Sequence, residues 1–97
     1  MRNRTLTYGQ LEYLLTELGY RLTPSPEQGA RLWENPKFDA IKYLPAAPPH
    51  ELARPHYLMT IRKVSIEKGI VEESDFNRLL EKALQHGLDP TASPSAA

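Results

Sequence analysis

The chain has no cysteine, which excludes a disulfide framework, thiolate chemistry and any cysteine-based metal site. It also lacks net charge. Lys plus Arg and Asp plus Glu number 12 each, so only a local basic patch offers a route to nucleic acid. No apolar run approaches the length of a membrane span. The N-terminus, Met1-Arg2-Asn3-Arg4-Thr5, starts basic, but Tyr8, Gly9, Gln10 and Glu12 interrupt any apolar stretch after it. A secretory leader is therefore not expected, and a cytoplasmic location is. There is no internal repeat, phosphate-binding glycine loop, metal-ligand spacing or nucleophile motif, so no cofactor is implied. At 97 residues the chain allows one domain with one modest core.

What is present is helical periodicity at both ends and strand alternation between them. The stretch from Leu58 to Leu80 organises the rest. Leu58, Ile61 and Val64 share one helical face, widened by Tyr57, while Met59 and Ile66 fall on the far side and suggest a second buried face. Gly69 supplies a left-handed helix stop, Ile70 and Val71 form a hydrophobic corner, and a further apolar stripe runs through Phe76, Leu79, Leu80, Ala83 and Leu84.

Upstream, residues 1–6 read as a lead-in. Thr7 and Gln10 have the spacing of a capping box ahead of the Leu11, Leu14, Leu15, Leu18 stripe, with Gly19 as the stop, so a first helix is expected over Tyr8 to Leu18. Tyr20 and Leu22 then alternate with Arg21 and Thr23 as a short strand, followed by a proline-bearing turn. Ala30 to Glu34 and Phe38 to Leu44 read as two more strands, joined at Asn35-Pro36. Four prolines between Pro45 and Pro55 forbid a central strand or a long helix there. Helices are expected over His56 to Lys68 and Ser74 to His86, and a disordered tail over residues 88–97. The expected fold class is α+β. Its order is α-β-β-β-α-α, a three-stranded antiparallel sheet with helices on one face and a polar opposite face, in a domain spanning residues 7–87.

Leu14-Leu15, Leu18-Gly19-Tyr20, then Leu58, Ile61-Arg62, Gly69-Ile70, Phe76 and Leu79-Leu80 resemble the HicA family of toxins over roughly Tyr8 to Leu84. The resemblance implies a double-stranded-RNA-binding-domain-like α-β-β-β-α fold with an extra C-terminal helix. It also implies an mRNA interferase ancestry and two partners, RNA and a HicB-like antitoxin. Family members carry Gly-Ser-His or Gly-Ser-His-His opening the second strand, with a catalytic histidine. Here the segment is Gly29-Ala30-Arg31-Leu32-Trp33. Neither alanine nor leucine can move a proton, and arginine stays charged. Metal-free RNA cleavage needs a base for the 2′-hydroxyl and an acid for the leaving oxygen, so this chain is expected to have lost the activity.

The remaining candidates follow from residue type. Arg21, Arg31, Lys42, Arg62 and Lys63 are the expected phosphate-binding patch, spread over the exposed sheet face and the second helix, although Glu12, Glu17, Glu27, Glu34 and Asp39 lie among them. His50 and His56 are the candidates for a relocated catalytic histidine; isolated histidines are more often structural, as is His86 near a helix end. Trp33, Tyr43 and Tyr20 offer faces for base stacking, or fill the core. Glu72, Glu73 and Asp75 gather at a helix start, where negative charge is favourable. The leading reading is a binding module for RNA or an antitoxin; the alternatives are an active interferase using His50 or His56, and an interaction domain unrelated to nucleic acid.

Overall fold

A computed structural model of the chain describes residues 5–86; the expected tail at 88–97, and residues 1–4 of the expected lead-in, lie outside the described residues. The order is α1 (Tyr8–Glu17), β1 (Arg21–Thr23), β2 (Ala30–Asn35), β3 (Ala40–Pro45), α2 (Pro55–Glu67) and α3 (Glu73–Gln85). The strands form one antiparallel sheet in the order β1-β2-β3, which makes this an α+β fold.

Helix α1 starts with the capping box its sequence specifies. Thr7 Oγ1 accepts from the Gln10 amide at 3.1 Å, and Gln10 Oε1 accepts from the Thr7 amide at 2.9 Å. It ends on Gly19 at φ 99°, where Gly19 N–H donates to Thr16 O and Tyr20 N–H donates to Leu15 O. Helix α2 stops in the same way. Gly69 has φ 73°, its N–H donates to Ile66 O, and Ile70 N–H donates to Ser65 O.

Two buried amides tie these elements together. Gln10 Nε2 donates to Leu84 O at 3.2 Å and His86 O at 3.1 Å, so the side chain that caps the start of α1 also satisfies the end of α3. Asn35 Nδ2, on β2, donates to Leu18 O at 3.1 Å and fixes the end of α1 to the sheet. The core between helices and sheet is built from Leu11, Leu14, Leu15, Leu44, Ile61 and Phe76, all fully buried. Each leucine there contributes on the order of 1.5–3 kcal/mol through removal from water.

Four expectations need correction. Leu6 belongs to the core at 2 % exposure, because it is the apolar residue before the capping Thr7 and joins the cluster that holds Leu11. β3 begins at Ala40 rather than Phe38, since Pro36–Phe38 form a 3-10 turn that Asp39 leaves at φ 53°. α2 has no second buried face at Met59, which is 67 % exposed. The outer face of the sheet is mixed rather than polar: Leu32, Ile41 and Tyr43 share it with Arg21, Thr23 and Glu34.

Candidate functional site

Directly paired residues in an antiparallel sheet share a face, so the register assigns every strand side chain. Leu22, Trp33 and Lys42 line one face with Arg31, Leu44, Asn35 and Ala40. This is the helix side, because Leu44, Trp33, Asn35 and Ala40 are buried there. Arg21, Glu34 and Ile41 line the other face with Thr23, Leu32 and Tyr43.

The expected basic patch is therefore divided. Arg31 and Lys42 lie on the helix side, not on the exposed face. Arg31 Nε sits 2.6 Å from Glu12 Oε2 of α1. Lys42 Nζ donates to Thr60 Oγ1 of α2 and lies 5.6 Å from the Tyr57 ring centroid. Burial lowers the Lys42 pKa from its ordinary value, and no carboxylate partner among the described residues opposes that shift. Arg62 is held by Glu73 at 2.5 Å and Asn77 at 2.9 Å, over the Phe76 ring. Lys63 pairs with Glu67 one helical turn away. Of the five, only Arg21 faces outward from the sheet without an ion pair among the described residues.

The histidines are not assembled into a catalytic group. His50 is exposed on the loop before α2, and His56 is exposed in the first turn of α2 with its ring 4.1 Å from that of Tyr57. Neither imidazole has a hydrogen-bonded partner among the described residues. His86 stacks on Tyr13 at 4.2 Å. Trp33 and Tyr20 are core residues, and burial raises the Tyr20 pKa. Tyr43, 41 % exposed, is the one member of the expected aromatic set with an accessible face. Glu73 and Asp75 occupy the first turn of α3 and engage Arg62 and Arg78.

The accessible feature that the reading by residue type passed over is the free edge of β3. Ala46 N–H donates to Gly29 O at 2.9 Å, which fixes the phase of the β2–β3 ladder. Alternation then turns Ala40, Lys42 and Leu44 toward β2, and the backbone groups of Ile41 and Tyr43 away from it. The same two residues project their side chains from the outer face, Ile41 at 60 % exposure. Strand parity carried the signal, since Ile41 is out of phase with buried Ala40 and Leu44.

No family model, no curated protein and no solved structure matches the chain. Among the described residues no helix is long and apolar enough to cross a membrane.

Proposed function

We propose that the chain is a HicA-like module without ribonuclease activity that acts by binding a protein partner, a HicB-like antitoxin. The observation that carries this reading is the state of Arg31. It occupies the strand position matched to the family's catalytic segment, on the helix side of the sheet, and its guanidinium is held by Glu12. No group there can exchange a proton near neutral pH.

Partner binding is favoured over RNA because most of the cations expected to grip phosphate are engaged within the protein. Arg31, Arg62 and Lys63 have carboxylate partners, and Lys42 donates to Thr60 at the rim of the helix side. The accessible surface instead combines an unpaired strand edge with exposed apolar side chains, a composition suited to protein contact.

The test is incubation of the purified protein with a generic mRNA, a gel shift at two salt concentrations, and co-purification with a HicB-like protein. Intact RNA, no salt-sensitive shift and a stable protein complex are expected. Cleavage that His50→Ala or His56→Ala abolishes would replace this reading with a relocated catalytic site. Salt-sensitive binding weakened by Arg21→Ala would replace it with an RNA-binding one.

A further inference from the structure

The two edges of the sheet are not equivalent. β1 is three residues long, too short to template much pairing, whereas β3 pairs with β2 over six residues. Its outward backbone groups are the N–H and C=O of Ile41 and Tyr43, and no backbone hydrogen bond among the described residues reaches them, whereas Pro45 C=O already accepts from Ala47 N–H at 2.9 Å. The missing N–H of Pro45 limits an added strand to the stretch around Ile41 and Tyr43.

We propose that the β3 edge receives an extended segment of a partner protein as a fourth antiparallel strand, and that this segment alternates apolar, acidic, apolar. The apolar positions follow from Ile41 and Tyr43, whose exposed side chains would flank the incoming residues on the outer face. The acidic position follows from Lys42. With Ile41 and Tyr43 making the hydrogen-bonded pairs, Lys42 stands in the closer, non-hydrogen-bonded kind of pair. Among the described residues its ammonium has only the Thr60 hydroxyl and the Tyr57 ring for company on the helix side. A carboxylate opposite supplies the missing counter-charge, and a lysine there would set two ammonium groups against each other.

The same geometry disfavours a second copy of this chain. Antiparallel self-pairing must centre on Ile41, Lys42 or Tyr43, because directly opposed residues share a face. Centring on Lys42 opposes two lysines. Centring on Tyr43 sets Ile41 against Pro45, which has no N–H to give. Centring on Ile41 sets Tyr43 against Asp39, whose backbone is left-handed at φ 53°. Each register loses what the heterologous strand would gain.

The inference rests on the partner-binding reading above. RNA cleavage by the protein would defeat that reading and leave this titration to be judged separately. A failed titration beside an intact complex with the HicB-like protein would defeat only the assignment to this edge. The test is titration of the isotopically labelled full chain with two blocked peptides, Ser-Thr-Val-Glu-Val-Thr-Ser and the same peptide with lysine at its centre, followed by backbone amide shifts. The glutamate peptide is expected to shift the Ile41 and Tyr43 amides saturably and to slow their exchange with solvent. The lysine peptide is expected to bind about tenfold more weakly, an opposed like-charge pair replacing a favourable one. Lys42→Glu should reverse that order. Tyr43→Pro removes an N–H that faces away from β2, so it should abolish binding in a protein that still melts cooperatively. Equal binding of both peptides, saturation without response at Ile41 and Tyr43, no binding at all, or self-association of the free chain through these amides would each overturn the proposal.

Discussion

Gln10 is the position at which the packing of this fold can be tested most sharply. The residue is 6 % exposed, and its carboxamide makes three bonds. The oxygen accepts from Thr7 N–H, and the nitrogen donates to the carbonyls of Leu84 and His86. Only one orientation of the amide satisfies all three partners. Gln10→Ala removes half of the capping box, about 1 kcal/mol, and leaves two carbonyls without their donor at roughly 1 kcal/mol each. The expected loss is about 2–3 kcal/mol, or on the order of 10–20 °C in melting temperature for a domain of this size. Gln10→Glu separates the two roles. A capping box accepts glutamate as readily as glutamine, and the start of α1 favours negative charge, so a purely local role predicts no loss. The anchor to α3 predicts the opposite: a carboxylate facing two carbonyl oxygens at the negative end of α3 should be as destabilising as alanine near neutral pH. The sign follows from linkage. The folded state raises the pKa of the introduced carboxyl, so the deficit is full at neutral pH and shrinks on acidification, once the protonated acid can donate. Urea unfolding of both variants across that range is the assay. A glutamate variant as stable as wild type at neutral pH would refute the reasoning.

Three further outcomes follow from the same structure. Gly69→Ala should cost about 1–2 kcal/mol from left-handed strain alone, because nothing lies within 4 Å of the added Cβ; Gly19→Ala should cost more, since its φ of 99° lies further from the left-handed minimum than the 73° of Gly69, and equal melting losses would count against this. The Arg31–Glu12 pair is partly solvated, so a double-mutant cycle with Arg31→Ala and Glu12→Ala should give a coupling of no more than about 1 kcal/mol, declining with salt. Lys42 has a lowered folded-state pKa, so its burial penalty is fully present at neutral pH and eases as pH rises toward the unfolded value; Lys42→Met should flatten the rise in unfolding free energy as pH approaches the ordinary lysine value from below. Once pH passes the ordinary tyrosine value, the raised pKa of Tyr20 opposes that rise, because burial favours the neutral phenol.

Local chemistry made much of the fold readable. Thr7 with Gln10 marked the start of α1, while Gly19 and Gly69 marked two helix stops that the structure places at positive φ. Strand parity was readable too, and it explains the displaced basic patch. Lys42 has the parity of buried Leu44, and Arg31 that of Trp33, so both belonged on the helix side despite their charge. Their long aliphatic stems let the charged ends reach Thr60 and Glu12 at the rim, a compromise that residue type alone does not reveal. The bonds from Gln10 to the end of α3 span more than 70 positions of sequence and exist only once the helices have packed. No local signal could announce them.

The loop between β3 and α2 crosses the start of α1 and binds it through the main chain. Tyr8 N–H donates to Glu51 O, Gly9 N–H to Pro49 O, and Ala53 N–H to Leu6 O, while a Cβ on Gly9 would lie 3.1 Å from Pro49. Free helix ends fray, and their first amides exchange with solvent in local openings that cost little. Here the amides of Tyr8 and Gly9 are released only when a segment some 40 residues away lifts off. The first turn of α1 thus opens together with the loop, and its exchange clock should run with the slow set of the domain.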